Sequence, residues 1–395
     1  MYAHWTVLSD TERQLQEKYK TKKRRGLMIY HGDALEYIGE TPDILSRIIE
    51  GQASVLQDCG KIFDREGIRG EISEVILTGS GSSYNAAVGA SVFAQKLLGI
   101  RVTPVYPVTV MEEMDVVSDK ALVIGISQQG TSTAVIRALD AAGKKGFCTV
   151  AVTGEYEAEI TRHGEAVLYV ECGYEDAGAT TKGYTATVLT LFLFFIMAAE
   201  KTGRITGMQK AEYISRLRRV TDNMPGILEE SFGWCKRTAD KLVNSRDLML
   251  ITGSSMRASL LEGCLKFSET CRFPVRGYEA EEFMHGIYNA VTEDTDFLYL
   301  FPADGYEKMR MEKLYGYYRE KGYRHYAVNL PETACSEGQC ANVLCCHFIN
   351  DSDFSVLEYM LPQQMLFVLA SRARGIDLNL PKDPEFHKYM GSKIE

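Results

Sequence analysis

Leu122-Val-Ile-Gly-Ile-Ser-Gln-Gln-Gly-Thr-Ser-Thr-Ala-Val-Ile-Arg137 decides the reading of this chain. Leu122 to Ile126 is a short apolar run with the character of a buried strand. It breaks at Ser127-Gln128-Gln129-Gly130 and resumes at Ala134-Val135-Ile136 as helical material running into Lys144. A strand, a small polar loop and a helix in that order make an anion site. The first backbone N–H groups of the helix lack intrahelical partners, and the helix dipole favours negative charge there. Ser127, Thr131 and Ser132 add hydroxyls, and Gln128 adds an amide. None of these residues is charged, so the loop is expected to hold a phosphate by hydrogen bonds rather than by ion pairing. The same residue types also make an ordinary N-capped helix.

A second loop has the same grammar. Glu74-Val-Ile-Leu-Thr-Gly-Ser-Gly-Ser-Ser-Tyr-Asn-Ala-Ala87 gives a strand over 75–78, a Gly/Ser loop from Gly79 to Ser83 and a small-residue helix from Asn85. Two such loops on neighbouring strands of a parallel sheet converge at its carboxyl edge, where ligands of open α/β sheets bind. The pattern lacks the Gly-Lys-Ser/Thr ending of a P-loop and the glycine spacing of a dinucleotide fingerprint. A small phosphorylated ligand fits better than a nucleotide.

The chain has 395 residues, room for two or three domains, and its 45% hydrophobic and 25% charged fractions are those of a globular protein. Its net charge of −9 argues against a nucleic-acid or anionic-membrane surface. The longest apolar run, Val188 to Ala199, is short for a bilayer span, and the N-terminal region has no apolar signal core, so a cytoplasmic location is expected. Most of the ten cysteines sit singly in apolar contexts. Cys335, Cys340, Cys345, Cys346 and His347 cluster without a paired Cys-x-x-Cys frame, and Cys345 and Cys346 fall in an expected strand, 343–349, whose adjacent side chains face opposite ways. No metal site and no cofactor are expected.

Residues 1–68 read as a helical arm that includes His31, isolated from other candidate groups, with Thr41 as N-cap and Pro42 at the first position of a helix. Residues 69–204 alternate strand and helix in the rhythm of a doubly wound sheet, with strands over 75–78, 102–106, 121–126, 147–153 and 167–171 and a closing helix near 184–200. Residues 205–245, with Met224-Pro225-Gly226, read as a helical connector. The pattern then repeats over 246–395 at an offset of 174–176 residues. In the second copy Pro302-Ala303-Asp304 replaces Ser127-Gln128-Gln129, a hydroxyl cluster exchanged for a carboxylate that repels phosphate. One copy binds; the other has a different task.

The helix after Ser255 carries Glu262, Lys266 and Glu269 at i, i+4 and i+7, all on one face. Such a stripe is commonly a surface salt-bridge ladder, but its apolar neighbours leave little polar surface beyond it. Downstream, the acidic run Tyr278-Glu-Ala-Glu-Glu-Phe-Met-His-Gly286 ends in His285-Gly286.

These residues resemble a known family. Gly81-Ser82-Ser83-Tyr84, Ile126-Ser127-Gln128-Gln129-Gly130 and Ala179-Thr180-Thr181-Lys182-Gly183-Tyr184-Thr185 are similar to the sugar-isomerase (SIS) domain, as found in the isomerase half of glucosamine-6-phosphate synthase and in fructosamine-6-phosphate deglycases. The resemblance covers about 320 residues and implies an α/β fold of two tandem SIS-type doubly wound parallel-sheet domains behind the N-terminal arm. It implies phosphate binding at Ser83, Ser127, Gln128 and Ser132 and a sugar contact at Thr180. Ser82 and Gln129 in the same loops, with Glu262 and Lys266, complete the candidate binding set. Glu269 falls where the family has the carboxylate that moves a proton between C1 and C2. Glu282-Phe283-Met284-His285-Gly286 falls on the family's Glu-x-x-His-Gly, whose His assists ring opening and, in the synthase, reaches into the neighbouring subunit. A homodimer with a shared active site is therefore implied, with Glu269 and His285 as the catalytic pair.

The pattern departs from the family in places. Gln129 replaces a usual Ser and Ile287 a usual Pro, and the tail Pro384-Glu-Phe-His-Lys-Tyr-Met-Gly-Ser-Lys-Ile-Glu395 is closer to the deglycase ending. The synthase opens the sugar with a C-terminal Lys, and Lys388 and Lys393 fit that role poorly. The sequence carries neither an N-terminal Cys nor a glutaminase domain, so the synthase reaction itself is not expected. The expected activity is metal-independent cleavage of a 6-phospho-fructosamine through an enolamine by Glu/His acid–base catalysis, with a raised-pKa carboxylate and a neutral imidazole dividing the proton transfers. Aldose–ketose isomerisation or amino-sugar-phosphate deamination would use the same residues. A non-catalytic phosphosugar sensor is the alternative of another class.

Overall fold

The computed structural model describes residues 32–64, 72–330 and 340–394. His31, Cys335 and the side chain of Cys340 lie outside the described residues. Ten strands form two parallel five-stranded sheets. In the first, β1 (Glu74–Gly79), β2 (Arg101–Val105), β3 (Ala121–Ile126), β4 (Cys148–Thr153) and β5 (Ala166–Tyr169) lie in the order 2-1-3-4-5. In the second, β6 (Asp247–Thr252), β7 (Val275–Glu279), β8 (Thr295–Leu300), β9 (Arg324–Val328) and β10 (Val343–Leu344) repeat that order as 7-6-8-9-10. The central strands β3 and β8 are buried throughout, as parallel strands covered by helices must be. β3 and β8 start at Ala121 and Thr295, 174 residues apart, so the sequence echo is an echo of strands.

The first sheet is joined by α2 (Ser82–Leu98), α3 (Pro107–Glu113), α4 (Thr133–Lys144) and, after β5, α5 (Lys182–Lys201). The second carries α7 (Arg257–Cys271), α8 (Ala280–Met284), α9 (Gly305–Glu320) and α10 (Ser355–Ala373). Ahead of both stands α1 (Ala34–Val55), between them α6 (Gly207–Leu242), and the tail ends in α11 (Phe386–Met390). α5 is long and apolar enough to cross a membrane, but 94% of that stretch is buried against its neighbours. It is apolar all round because protein surrounds it.

Two local expectations differ from the structure. α1 starts eight residues before Pro42, with Asp33 as N-cap accepting from the Leu35 N–H at 2.8 Å, and Pro42 is buried inside the helix. The packing of Ala34 and Ile38 with Ile44, Leu45, Ile48 and Ile49 outweighs the one helix bond that Pro42 cannot donate. The stretch read as a helical connector is α6, a single helix of 36 residues that runs unbroken through Pro225. The strand expected over 343–349 is only Val343–Leu344; beyond it the backbone bonds to Glu358, which accepts from the N–H groups of Ile349 and Asn350, rather than to a ladder.

The two copies part at their carboxyl edges. In the second, the Glu307 carboxylate on α9 accepts from the Ser254 N–H at 2.9 Å and from the hydroxyls of Ser254 and Ser255. A side chain of the protein thus occupies the place that the equivalent first-copy loop leaves open. Asp304, expected to be the repelling carboxylate, is exposed at the N-cap of α9, so the anion in the cradle comes from one turn further on.

The tail crosses the first copy closely. A Cβ on Gly178 would lie 1.7 Å from the Leu378 carbonyl oxygen, and backbone cannot yield as a side-chain tip can. Gly178→Ala is expected to displace the tail and destabilise the chain by about 1–3 kcal/mol, read as a lowered chemical-denaturation midpoint at an unchanged m-value.

Candidate functional site

At the carboxyl edge of the first sheet, the two loops read from the sequence lie side by side. Gly81 (φ 58°) precedes α2 as its N-cap and offers no side-chain acceptor, and the Ser83 N–H closes the turn by donating to the Ser80 carbonyl at 3.2 Å. Gly130 (φ 65°) turns the second loop, and a Cβ there would meet that of Ala158 at 2.2 Å. The second loop is held from behind. Gly154 N–H donates to the Gln128 carbonyl at 2.9 Å, Ile160 N–H to the Gly130 carbonyl at 3.0 Å, and the Ser132 N–H to Ser127 Oγ at 3.3 Å. The Gln128 side chain is fixed at both ends, its Oε1 accepting from Thr187 Oγ1 at 3.0 Å and its Nε2 reaching Cys172 Sγ at 3.0 Å. Such a loop meets an anion already in shape.

Across the cleft stands α7 of the second copy. Its stripe runs from the interior to the opening. Glu262 is fully buried, accepting from Ser82 Oγ and Asn85 Nδ2, each at 2.8 Å. Lys266, also buried, donates to Glu269 at 2.8 Å, and Glu269 is half exposed at the cleft. Burial raises the pKa of the Glu262 carboxylate, against the pull of Lys266 and the two hydrogen bonds. Burial would lower that of Lys266, but Glu269 and Glu262 together outweigh it, and its pKa is raised. Lys266 is held as a cation.

The cleft has a volume of about 1240 Å³. Ser82, Ser83, Ser127, Gln128, Gln129, Ser132 and Thr180 line it from the first copy, Lys266 and Glu269 from the second, and residues from Leu378 to Lys393 from the tail.

Residues 71–197 match the SIS domain family. A solved structure from Clostridium difficile 630, named as a candidate phosphosugar isomerase, shares 30% identity and superposes with a TM-score of 0.81, covering 92% of this chain and 99% of that one. This chain belongs to the SIS-domain family. A second solved structure, named as a candidate sugar-binding protein from Salmonella typhimurium LT2, shares 31% identity at a TM-score of 0.75, covering 85% of this chain and 99% of that one. The glutamine–fructose-6-phosphate aminotransferase (isomerizing) of Caldanaerobacter subterraneus subsp. tengcongensis is 27% identical over 285 residues, 71% of this chain and 46% of its own length. The chain spans about half the length of the curated relatives it matches.

Not every candidate residue of this SIS chain reaches the cleft. Glu262 lies beneath it, its oxygens taken by Ser82 and Asn85, so it braces the first loop from behind instead of facing a ligand. His285 is exposed in the turn after α8 and is not among the residues lining the cleft of its own chain. The site is also more cationic than its loops suggested. Arg137, Lys266, Arg272, Lys382 and Lys393 line it against Glu269 and Asp383, so ion pairing as well as hydrogen bonding is available to an anion. Arg137 was findable: it lies four residues beyond Thr133, one turn into α4.

The tail carried no motif that announced its position. Thr133 N–H donates to the Ser392 carbonyl at 3.3 Å, Ile394 N–H to the Thr131 carbonyl at 2.9 Å, and Lys393 Nζ to Gln129 Oε1 at 3.1 Å. Ser132 and Lys393 form an antiparallel bridge. His387 also lines the cleft. Gln129 thus receives the tail together with Thr131, Ser132 and Thr133.

Glu262→Leu would leave Ser82 and Asn85 without their acceptor and strip Lys266 of one of its two carboxylates. A loss of about 3–5 kcal/mol is expected from removing one member of such a buried charged cluster, measured by urea unfolding. A loss below about 1 kcal/mol would mean that the cluster behaves as an exposed ion pair.

Proposed function

We propose that this SIS-domain chain is a phosphosugar enzyme whose substrate is a sugar 6-phosphate bearing nitrogen, and that its reaction is the deglycation of a 6-phospho-ketosamine. The reading is carried by one observation: two preformed hydroxyl-rich loops and the Lys266–Glu269 pair face each other across a single cleft. The loops, with Arg137, hold the phosphate, remote from the reacting carbons, and so fix the orientation of the sugar. Glu269 is exposed enough to meet a C–H bond and is held in position by the Lys266 ammonium, 2.8 Å away.

In the proposed reaction Glu269 takes a proton from C1 of the ketosamine while the C2 oxygen gains one, giving an enolamine. Return of the proton to C2 gives an imine at C1, and water then replaces the amine there. Each transfer needs an acid–base group within hydrogen-bond reach, each contributing about 10²–10⁴-fold in rate. His285 is the second such group by resemblance. Because it is exposed away from its own cleft, its use requires a neighbouring subunit, and a homodimer with a shared site belongs to this proposal. Isomerisation and deamination share the first proton transfer and differ in the fate of the enol or enolamine. The lining of hydroxyls and cations supports a phosphorylated ligand equally for a sensor, but the carboxylate held by a buried lysine favours chemistry.

The test is a turnover panel of fructose 6-phosphate, glucosamine 6-phosphate and 6-phosphorylated fructose adducts of several amino acids. Release of glucose 6-phosphate with free amino acid is expected from at least one adduct, and conversion of the first two alone would make the chain an isomerase or deaminase. Glu269→Gln should keep sugar-phosphate affinity and lose about 10²-fold or more in kcat; undiminished turnover would remove Glu269 from the mechanism. The Ser127→Ala, Ser132→Ala double variant should weaken binding of every sugar phosphate in the panel without changing the melting temperature by more than a few degrees, and unchanged affinity would dismiss the phosphate assignment.

A further inference from the structure

The proposed chemistry calls for a second proton carrier in the cleft, and the chain provides one that the sequence pattern did not single out. His387 lies in α11 of the tail and lines the cleft shared by the phosphate loops and Glu269. Its position is tied to the second phosphate loop through one residue. Ser392 meets His387 Nδ1 with its Oγ at 2.9 Å and donates its N–H to the His387 carbonyl at 3.3 Å. The Ser392 carbonyl accepts the Thr133 N–H, the first residue of α4. The neighbouring Thr133 Oγ1 to Gly391 carbonyl bond, at 3.0 Å, and the Lys393–Gln129 bond hold the same register. The imidazole is thus indexed to the loop that would bind the phosphate, which is what a group must have to meet a fixed atom of a bound sugar.

Its ionisation suits the role. Burial, and then Lys393, lower the His387 pKa, and Glu269 across the cleft opposes them. In the tautomer whose Nδ1–H donates to Ser392 Oγ, Nε2 presents a lone pair.

We infer that His387 is a catalytic base and acid acting within its own chain on the water and the leaving amine. The inference rests on the deglycase reading above. In the hydrolytic step Nε2 takes a proton from water as its oxygen bonds to C1 of the imine. The imidazolium gives that proton to the imine nitrogen, forming the carbinolamine. Nε2 then takes the remaining O–H proton and passes it to the same nitrogen as the C1–N bond breaks, so both protons of the water leave on the amine and C1 is left as the aldehyde. Nothing is oxidised or reduced, and the imidazole ends as it began. Glu269 handles protons on carbon; His387 handles those of the attacking water and the leaving amine.

The full-length chain with His387→Gln, His387→Ala or His285→Ala is compared with the unmodified chain on the adduct that it cleaves. For both His387 variants kcat is expected to fall about 10²-fold or more, with KM and fructose 6-phosphate affinity within about threefold, and added imidazole is expected to restore part of the activity of His387→Ala. His387 is exposed on the tail, so both variants should melt at the temperature of the unmodified chain. An unchanged kcat in His387→Gln overturns the inference. So does a rise in KM alone, which would make the tail a closing strap without chemistry, and so does loss of activity in His285→Ala with none in His387→Gln. If the unmodified chain cleaves no adduct but isomerises fructose 6-phosphate, the deglycase reading fails and this inference with it. Cleavage that survives His387→Gln overturns this inference alone.

Discussion

A carboxylate removed from water between two lobes is costly unless each of its oxygens is bonded and a cation lies nearby. Glu262 meets both conditions only when the two copies of the fold are docked. Ser82 and Asn85 come from α2 of the first copy, and Glu262 and Lys266 come from α7 of the second. The same contact fixes the relation of the first loop to Glu269, because Lys266 is shared between the two carboxylates. Separating the lobes would expose a raised-pKa carboxylate and a buried ammonium together. The geometry of the cleft therefore inherits part of its rigidity from Glu262, a carboxylate that does not itself line it. Elsewhere the lobes add neutral bonds of the same kind, as where Gln364 Nε2 donates to the Thr181 carbonyl at 2.9 Å, just before α5.

α5 shows how the first copy is finished. Its leading N–H groups are taken by Glu175, which accepts from Thr181 N–H at 2.7 Å, Lys182 N–H at 3.2 Å and Gly183 N–H at 3.1 Å. Thr180, just before it, remains on the cleft. So of the helices that begin near the site, α5 carries its own anion, whereas α2 and α4 are left to a ligand and to the tail. Anion binding is allotted by which helix starts already have a partner.

Much of this was legible in the sequence, for a physical reason in each case. Strands β1, β3 and β4 are short, largely apolar runs that end in glycine- or hydroxyl-rich breaks, and that grammar survives without tertiary context. The duplication was legible because strand spacing is nearly constant between the copies. The stripe of Glu262, Lys266 and Glu269 follows from helical period alone, but period gives the azimuth of a residue and not its depth, so Glu262 read as a ligand contact when it is a brace. Pro42 misled because its local preference for a first turn lost to the burial of Ala34 and Ile38. The tail was beyond reach. Gln129 and Lys393 meet across a separation of 264 residues, and no periodicity or spacing encodes a contact of that kind.

The Glu307 carboxylate in the cradle of the second copy has a consequence for how a duplicated fold divides its labour. A tethered anion faces its donors at an effective concentration that free phosphate in solution does not match. The second cradle is in that sense permanently occupied by the chain itself, at Ser254 and Ser255. Two equal anion sites on one polypeptide would compete for the same ligand, and half of the bound molecules would sit with no acid–base helix before them. On the proposed reading, the duplicate cradle being filled from within leaves a substrate one place to settle, before the helix α7 that follows the filled loop and carries Lys266 and Glu269 to the cleft.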